Sequence, residues 1–509
     1  MQEQHAVRAQ VVVVGGGPVG MLLAAELAGY GVDTVLLEAR TDVSGQPKAT
    51  TLHARAVQTL ARRGHLPGPG HPRTAGPGQS PFHFAGLPGL VITTPAHEPE
   101  PILKRAQAEL EQHFEARARA AGARILRGHR VTGLSRRDDG VRITADGPDG
   151  PVLCSARYAV GADGSRSTVR GLAGISSDTH PATVSALMGT VTLARPGELT
   201  AGWHRTPRGW IVAKHTAEGT THIRTLNCTG AHPDRHTPPT LEELHAEVAR
   251  LAGRDIAMDT PRWLSRFSDF ARLARTFRAG RVFLAGDAAH VHFPIGGQGL
   301  STGVLDALNL GWKLALAVHG RAAPGLLDTY DTERRPAAAR VVEQTRAQLA
   351  MMRPGTELDA LREVFTGVLS ADRAHGHLGA MISAQDTVLP DHEETADAGK
   401  FLPNTQLTTP AGETDVITLL HEGRPLLLLL GEQDESHLQA ARRWEGTVRV
   451  VRARPARETP HDALLVRPDG YVAWVPGGRP LTDTLARYFL QDTGRAGTGR
   501  RDAVPVERP

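Results

Sequence analysis

The segment at 11–40, VVVVGGGPVGMLLAAELAGYGVDTVLLEAR, constrains the fold of this chain more than any other. Four consecutive valines indicate a short buried strand, and the turn after them carries Gly15, Gly17 and Gly20 in G-x-G-x-x-G spacing. Gly15 allows a tight turn, Gly17 a close backbone approach to a pyrophosphate, and Gly20 close packing of helix on strand. The segment predicts a strand, turn and helix that bind a dinucleotide at the helix N-terminus.

Glu38 follows a second predicted strand, Thr34 to Leu37, and stands about twenty residues beyond the glycines, the place of a ribose-binding acid. A carboxylate there accepts hydrogen bonds from ribose hydroxyls, and its charge repels a 2′-phosphate. The pattern therefore favours FAD or NAD over NADP. The alternative, a glycine-rich turn without a ligand, is disfavoured because strand, helix and acid all occur at the required spacing.

Composition limits the classes of protein to which the chain can belong. Its 509 residues are enough for several domains, and we see neither a signal-like N-terminus nor an apolar run long enough for a membrane helix, so we expect a cytoplasmic protein without a membrane contact. Cys154 and Cys228 lie far apart, which argues against a disulfide framework, a metal site or a dithiol redox site. Redox chemistry would then require a cofactor. The formal charge of +4 is small and the arginines are scattered, so we expect no nucleic-acid partner.

Changes in composition and periodicity divide the chain into segments. Helices are predicted at Thr51–Arg63 and Lys104–Ala121, on either side of a β-rich stretch at 67–103. Short alternating segments between 176 and 275 predict an antiparallel sheet that covers a substrate cavity. After an acidic stretch with proline and glycine at 386–408, the segments PLLLLLGE, TVRVVRA and ALLVRP predict buried parallel strands of a small α/β domain.

The predicted fold class is α/β, with a Rossmann-like cofactor domain, an inserted antiparallel-sheet substrate domain and a C-terminal α/β domain. The predicted boundaries are 1–175 for the first part of the cofactor domain, 176–275 for the substrate domain, 276–390 for the second part of the cofactor domain with a helical region, 391–492 for the C-terminal domain and 493–509 for a disordered tail.

A second motif, YAVGADGSRSTVR at 158–170, follows a predicted strand and places Asp163 in a tight turn. Asp-Gly turns are also common where no ligand binds, so this motif by itself leaves both interpretations open.

A third motif, RVFLAGDAAHVHFPIGGQGLSTGVLDALNLGWK at 281–313, places Asp287 at the carboxyl end of the strand VFLAG. A carboxylate there can bind ribitol hydroxyls, because ligands lie outside the carboxyl ends of parallel strands. The loop Gly296 to Gly299 leads into a helix that we predict to begin near Leu300 or Ser301. The positive end of that helix points to whatever lies over the loop.

Together, GGGPVG with Glu38, GADGSRSTVR and GDAAHVHFPIGGQG resemble the three signatures of the class A FAD-dependent aromatic monooxygenases, the para-hydroxybenzoate hydroxylase fold. The segments DALNLGWKLA, LLDTYDTERRP, RAQLAMMRP and VRPDGYVAW resemble the aromatic polyketide hydroxylases within that family. Those relatives carry a C-terminal thioredoxin-like domain, and residues 409–490 are similar to one. That stretch contains no cysteine, so the resemblance implies a structural or oligomer-contact role.

The resemblance also implies a set of cofactor residues at matched positions. Those expected to bind FAD are Gly15, Gly17, Pro18, Val19, Gly20, Glu38, Ala39, Arg40, Lys48, Gln107, Val131, Asp163, Asp287, Gly297, Gly299, Leu300 and Ser301. Asp163, with Arg166, belongs to the motif that serves both FAD and NAD(P)H. Pro294, Gly297 and Lys48 are expected at the reacting end of the flavin, and no metal is expected.

Two of these positions depart from the family pattern. Lys48 replaces the usual arginine, which keeps the charge but loses the planar fork, and Ser301 replaces the usual asparagine. Both changes concern how the flavin is positioned rather than whether it binds.

The function implied by the resemblance is an FAD-dependent, NAD(P)H-consuming monooxygenase that hydroxylates a polycyclic aromatic, polyketide-type metabolite through a flavin C4a-hydroperoxide. FAD is expected to be non-covalent, NADPH or NADH a transient co-substrate, O2 the oxidant, and the working form a monomer or homodimer. A Baeyer–Villiger insertion or an antibiotic-modifying oxygenation would use the same fold. A non-oxygenating FAD oxidase and a ligand-sequestering flavoprotein also stay open.

Four side chains near the predicted site have two interpretations each. His290 and His292 flank the third motif, where histidines satisfied within a polar loop are favoured over a catalytic base. Trp203 and Trp210 either line the substrate cavity or pack in the core.

Overall fold

The strand and helix predicted from the valines and glycines are present and lie at the centre of the cofactor-side sheet. The computed structural model describes residues 5–66, 76–233, 237–369, 372–390, 395–431 and 435–491. The tail predicted at 493–509 lies outside these residues, as do 391–394 at the predicted start of the C-terminal domain.

The first part of the chain alternates strands with helices. Its strands are β1 His5–Arg8, β2 Val11–Val14, β3 Thr34–Glu38, β4 Thr51–His53, β5 Gly78–Phe84, β6 Leu87–Thr94, β7 Ile102–Lys104, β8 Arg124–Arg127, β9 Arg130–Arg136, β10 Val141–Gly147, β11 Gly150–Ala156 and β12 Tyr158–Gly161. Its helices are α1 Pro18–Gly29, α2 Ala54–Arg62, α3 Gln107–Ala120 and α4 Thr168–Leu172.

The middle part begins with strands and ends with long helices. Its strands are β13 Ser177–His180, β14 Ser185–Leu193, β15 Gly202–Thr206, β16 Gly209–His215, β17 Thr221–Asn227, β18 Met258–Ser268, β19 Ala271–Ala274, β20 Arg278–Ala279, β21 Val282–Leu284 and β22 His290–Val291. Its helices are α5 Leu241–Ala252, α6 Gln298–Val318, α7 Thr329–Met352, α8 Thr356–Leu369 and α9 Asp372–Ile382.

The C-terminal part is smaller. Its strands are β23 Gln406–Thr409, β24 Gly412–Asp415, β25 Leu426–Leu429, β26 Arg449–Arg452, β27 Arg454–Pro455, β28 Ala463–Val466 and β29 Val472–Trp474. Its helices are α10 Val416–Leu420, α11 Glu435–Ala441 and α12 Leu481–Tyr488. None of the helices described in any part combines the length and apolarity that a bilayer crossing requires.

A six-stranded sheet in the order β20-β21-β12-β2-β3-β8 carries the cofactor side of the molecule. β2 runs parallel to β3 and β12, β3 to β8 and β12 to β21, so these strands end at one edge of the sheet. The valines of β2 are fully buried or nearly so, because α1 packs against β2 and β3, and β11 of a second sheet also lies against β2. The predicted Rossmann-like arrangement of the α/β fold class is confirmed.

The helix predicted at Thr51–Arg63 was wrong at its start. Thr51 to His53 form β4, which pairs antiparallel with β7, and the helix begins only at Ala54. The same pairing shortens the helix predicted at Lys104–Ala121, which begins at Gln107. A partner strand fifty positions away outweighs local helical periodicity, which is a tertiary effect that a local pattern does not contain.

An antiparallel sheet in the order β15-β16-β17-β14-β18 lies within the segment 176–275, where such a sheet was predicted. Side chains alternate between its two faces. The outer face, which includes Ile211 and Ile223, packs against α5. The face we call the inner face, which includes Trp210 and Leu226, packs in one apolar cluster with Phe293 and other residues next to the glycine motif.

The C-terminal sheet has the order β26-β25-β28-β29. β25 runs parallel to β26 as predicted, but β28, the ALLVRP segment, runs antiparallel to β25, so the prediction of all-parallel strands was wrong. A short apolar run shows that a strand is buried on both faces but carries no information on its direction.

Candidate functional site

The glycine turn between β2 and α1 has the geometry that its sequence predicts. Gly15 has φ +107°, and a Cβ there would lie 2.3 Å from the carbonyl oxygen of Ala162. A Cβ on Gly20 would lie 1.9 Å from the carbonyl oxygen of Gly15, which shows how closely helix and strand approach. A Cβ on Gly17 would meet nothing within 4 Å, so the turn leaves open space where a pyrophosphate would approach the backbone.

Two helices begin next to glycines and without side-chain caps. α1 has Gly17 and α6 has Gly297 as N-cap residue; neither N-terminus has a side-chain cap or an acid in its first turn. The N–H groups of a first helical turn lack partners within the helix, so both ends can donate to an anionic or polar ligand. For α1 these donors and the open space at Gly17 fit a diphosphate.

Glu38 lies at the end of β3 and holds the glycine turn. Its carboxylate accepts from the backbone N–H of Gly16 at 2.5 Å and of Arg40 at 2.8 Å. Its carbonyl oxygen accepts from His129 N–H, which brings the start of β9 with Val131 to this end of the site. A β-bulge opposite Val131, between Thr144 and Ala145, interrupts the ladder there.

Asp287 lies three residues after the end of β21, in the 3-10 turn Gly286–Ala288. Its side chain is solvent-accessible, yet burial among protein atoms raises its pKa, against the opposing charges of His290 and Lys48. The pKa of Lys48 is lowered by burial and by Arg40, while the charges of Glu111, Asp287 and Glu38 oppose the shift. The charges of both predicted sugar-binding acids, Glu38 and Asp287, therefore act on Lys48.

Direct contacts join the three sequence motifs. A Cβ on Gly286 would lie 3.2 Å from a methyl of Val19, so the Asp287 turn packs on the first turn of α1. Arg170, from the second motif, donates to the carbonyl oxygen of Ala288 at 2.8 Å. Gln107 donates its backbone N–H to Ala49, next to Lys48. These contacts bring the Asp287 turn, the first turn of α1 and the second motif together, and they place Gln107 beside Lys48.

Asp163 has a local structural role. Its carboxylate accepts from Ser167 Oγ at 2.5 Å and from Val169 N–H at 3.0 Å, so both oxygens are bound at the start of α4. Its Cα lies against the Gly15 turn, where a Cβ on that glycine would approach to 2.7 Å. Asp163 shapes the turn beside the groove through its backbone position.

The helix predicted to begin near Leu300 or Ser301 begins earlier, at Gln298. A 3-10 turn, Ile295–Gly297, precedes it, and Gly296 and Gly297 have φ +72° and +64°. The N–H groups without a partner inside the helix therefore belong to Gln298, Gly299 and Leu300, while that of Ser301 falls inside the helix. Pro294 accepts from Gly297 N–H at 3.3 Å, which closes the turn. We call residues 293–297 the glycine loop.

His53, which the sequence analysis did not identify, makes a hydrogen bond to the backbone of the glycine loop. Its Nε2 lies 2.7 Å from the carbonyl oxygen of Gly296, and its backbone N–H donates to Ser301 Oγ at 3.0 Å. Burial lowers the pKa of His53 to about 4, so the ring is neutral and Nε2 carries the donated proton. Ser301 stands where the family usually has an asparagine. Its hydroxyl accepts the hydrogen bond from His53 N–H and so binds another part of the protein.

His290 is bound within the protein, which supports the structural interpretation. Its Nε2 lies 2.7 Å from the carboxylate of Asp306, which also accepts from Gly286 N–H and from Arg334 Nε. Asp306 is fully buried, and this network fixes the Asp287 turn to α6. The sequence signal for it was Asp306 itself, an acid within the apolar stretch GVLDAL of α6, whereas Asn309 and Lys313 contact Glu333.

The remaining three side chains divide between the two interpretations. His292 Nδ1 lies 2.9 Å from the carbonyl oxygen of Phe293, and its buried Nε2 has no partner among the described residues. Trp210 is 4% exposed and donates to Met352, so it packs in the core. Trp203 is 37% exposed and stands edge-on to Trp210, with His83 on its other side.

Comparisons with known proteins cover almost the whole chain. The FAD binding domain family matches residues 8–345, and the aromatic-ring hydroxylase C-terminal family matches residues 395–495. The 12-dehydrotetracycline 5-monooxygenase/anhydrotetracycline 6-monooxygenase of Streptomyces rimosus is 36% identical over 504 residues, covering 95% of this chain and 99% of that protein. The dialkyldecalin synthase of Streptomyces rugosporus is 37% identical over 483 residues, covering 94% of this chain and 98% of that protein. The crystal structure of CabE, an aromatic hydroxylase from angucycline biosynthesis, has a TM-score of 0.86 and 36% identity, with 94% of this chain and 99% of CabE covered.

Proposed function

The chain belongs to the FAD-dependent aromatic-ring hydroxylases, and we propose that it is an NAD(P)H-consuming monooxygenase that hydroxylates a polycyclic aromatic, polyketide-type metabolite. One observation carries the choice of a bulky aromatic substrate. The glycine loop, which ends at the uncapped start of α6, packs through Phe293 against Phe267 on the inner face of the antiparallel sheet, with the rings 5.7 Å apart. The cofactor groove and the apolar sheet therefore meet at one place.

Bound FAD supplies the redox chemistry and the activation of O2 that no side chain of the chain can provide. The residues of the chain bind, orient and shield. Gly17, Pro18 and Val19 border the open space for the pyrophosphate, and Glu38, Ala39 and Arg40 lie at the adenosine end. The N–H groups of Gln298, Gly299 and Leu300 at the start of α6 would stabilise the negative charge that a bound flavin acquires on reduction.

The remaining predicted site residues keep their proposed roles, except Asp163, which shapes the Gly15 turn through its backbone position, and Ser301. Val131 lies at the adenosine end, Asp287 binds ribitol hydroxyls, Gln107 and Lys48 flank the groove, and Pro294 and Gly297 shape the loop at the reacting end. Ser301 acts by holding His53 instead of contacting the cofactor through its backbone.

The direct test is oxygen incorporation by purified holoenzyme. We expect candidate polycyclic aromatic polyketides to stimulate NAD(P)H oxidation and to gain one oxygen atom from O2 that carries the heavy isotope. The position of the heavy oxygen, in a hydroxyl or in a ring ester, separates hydroxylation from Baeyer–Villiger insertion. NAD(P)H oxidation without any labelled product across the substrate panel would contradict the proposed function.

A non-oxygenating role is the second candidate, because one relative of full length is a dialkyldecalin synthase. A synthase of that kind would convert its substrate to an isomer of equal mass. Mass analysis of the same reaction, run with and without NAD(P)H, distinguishes the two candidates: an isomer formed without the nucleotide supports the synthase.

Replacing Glu38 with alanine is expected to weaken FAD binding by about 1 to 3 kcal/mol, because a charge-assisted acceptor for the ribose is lost. The change also removes the acceptor for Gly16 N–H, which orders the glycine turn. FAD affinity is measured by titrating apoprotein and following flavin fluorescence. Asp33→Ala, at the start of the same strand in an exposed pair with Arg124, is the control and should bind FAD normally. Equal FAD affinity in Glu38→Ala and native protein would remove Glu38 from the site.

The C-terminal part is proposed to be a thioredoxin-like domain with a structural role. Its support is the order β25-α11-β26 followed by β28-β29-α12, with β25 and β26 parallel and the last pair antiparallel. The stretch 391–492 contains no cysteine, so the proposed role is structural and does not involve dithiol chemistry. We place the enzyme in the cytoplasm as a monomer or homodimer.

A further inference from the structure

Three cationic side chains surround the recess between the glycine loop and the antiparallel sheet. Arg224 and Lys214 come from the sheet, and Lys104 comes from the opposite wall. None of them belongs to the cofactor positions described above. We call Lys104, Lys214 and Arg224 the cation cluster.

The register of the sheet places Arg224 and Lys214 on the inner face. Leu226 packs in the apolar cluster with Phe293, and Arg224 is two residues before it on β17, so both side chains share one face. Val212 pairs with Arg224 across the strands, and Lys214 is two residues after Val212 on β16. Two residues of a strand span about 7 Å, so Arg224 lies just beyond the apolar contact with the glycine loop.

Lys104 reaches the same recess from the cofactor side. Its Nζ donates to Thr51 Oγ1 at 2.8 Å and lies 6.0 Å from the ring centre of Phe82. Thr51 in turn lies against the glycine loop, because a Cβ added to Gly297 would be 3.5 Å from the Cβ of Thr51. The cation cluster therefore spans the recess from the loop to the sheet.

The charges of the cation cluster lack acidic partners. Within the part of the chain that the structure describes, no carboxylate forms an ion pair with Lys104, Lys214 or Arg224. Arg224 Nε donates a hydrogen bond to Met188 Sδ at 3.1 Å. Burial lowers the pKa of Arg224 although its side chain is solvent-accessible, so protein atoms surround much of the guanidinium. The pKa of Lys104 is lowered by burial and then by the charges of Lys214 and Arg224.

Glu218, an acid at the end of the same sheet, is already paired with another cation. Glu218 raises the pKa of His222, which faces the same side of the sheet two residues before Arg224, but its carboxylate is bound to Arg262 at 2.6 Å on the exposed end of the sheet. Holding like charges together without a counter-ion is unfavourable, and an anionic ligand would relieve the repulsion.

We infer that the cation cluster binds an ionised oxygen of the aromatic substrate, a carboxylate or an acidic phenol, with Arg224 as the principal contact. Its position beyond the apolar contact lets the anionic end anchor at the sheet while the rings extend toward the glycine loop. The proposed substrates are thereby restricted to polycyclic aromatic compounds that carry an anionic group. This inference rests on the proposed function, because it assumes that the recess takes the aromatic substrate.

Equilibrium binding to oxidised holoenzyme tests the inference without turnover. The probes are anthraquinone-2-carboxylate and the neutral, similarly shaped anthraquinone-2-carboxamide, each titrated while flavin absorbance and fluorescence are followed in the absence of nicotinamide nucleotide. Native protein should bind the carboxylate about tenfold more tightly, the scale of one charge-assisted contact. Arg224→Met should abolish this preference and leave the carboxamide affinity unchanged.

Arg195→Met is the control, because Arg195 is a solvent-exposed cation of the same domain paired with Glu198. It should keep the full preference for the carboxylate. FAD content and melting temperature of each variant establish folding, and Lys214→Met at an exposed position supplies a second variant with a reduced preference. Equal affinity of native protein for both probes overturns the inference, whatever the variants do.

A third titration tests whether the cation cluster binds the substrate or the phosphates of the nicotinamide nucleotide, because both ligands are anionic. NADP⁺ is titrated against native and Arg224→Met protein under the same conditions. Unchanged NADP⁺ affinity together with a lost carboxylate preference supports the inference. Weakened NADP⁺ binding with a carboxylate preference that persists assigns the cluster to the nucleotide and overturns it. Neither outcome depends on oxygen transfer, so the proposed function can fail separately.

Discussion

Asp287→Ala is expected to separate NAD(P)H consumption from product formation. The variant loses a carboxylate that accepts from ribitol hydroxyls in a recess where burial already raises the pKa of that carboxylate. FAD binding should weaken by about 1 to 3 kcal/mol. Oxygen transfer needs the reacting atoms held within a few tenths of an ångström of the productive geometry, and a displacement of about 1 Å can cost a hundredfold in rate. Flavin reduction tolerates more, so hydrogen peroxide should replace product.

The measurement is the ratio of oxygenated product to NAD(P)H consumed, with FAD in excess so that occupancy does not limit the result. Asp287→Asn, which keeps shape and one acceptor, should fall between native protein and Asp287→Ala. Asp328→Ala removes an exposed acid paired with Arg278 and serves as the matched control with an unchanged ratio. If Asp287→Ala at full FAD occupancy keeps the native ratio, the residue does not position the cofactor.

Arg467→Met is expected to give the largest loss of stability. Arg467, in the C-terminal part, donates to both carboxylate oxygens of Glu333 at 2.8 Å and to Asp469, and all three residues are buried. Lys313 Nζ completes the cluster at 2.7 Å from Glu333. Breaking a buried ion pair by removing one partner costs about 3 to 5 kcal/mol, because the other charge stays buried without compensation.

The pKa shifts of Glu333 and Lys313 show that these buried charges depend on their partners. Burial raises the pKa of Glu333, but the charges of Arg467 and Lys313 outweigh it and hold the pKa far below its usual range. Burial lowers the pKa of Lys313 to about 8, and Glu333 opposes that shift. Without Arg467, two buried carboxylates would share one lysine.

Thermal and denaturant unfolding, with limited proteolysis of the C-terminal part, measure the effect of Arg467→Met. Arg449→Met, which removes a partly exposed pair with Glu422, is the control and should stay within about 1 kcal/mol of native protein. The double variant Glu333→Gln/Arg467→Met removes one charge of each sign and should lose less than the sum of the single variants. Additive losses would mean that the cluster does not act as a unit.

Much of the cofactor side could be predicted from local sequence. The valines of β2, the glycines at 15, 17 and 20, and the acids Glu38 and Asp287 at strand ends each encode a backbone shape or a strand terminus. The same local rules failed at Thr51 to His53, where pairing with β7 replaces a helix, and at β28, whose direction an apolar run does not encode. The start of α6 was misplaced because Gln298 and Gly299, predicted as loop, lie in its first turn directly after Gly297.

By itself the sequence determined the order of motifs, the class of cofactor and the family, because each motif is a short stretch whose residue types and spacing set a local conformation. Only the tertiary structure decided which distant residues meet. His53 under Gly296, Asp306 behind the Asp287 turn and the cation cluster across the recess each join side chains from separate elements. Such contacts depend on how helices and sheets pack, and packing is a property of the whole chain rather than of any one segment.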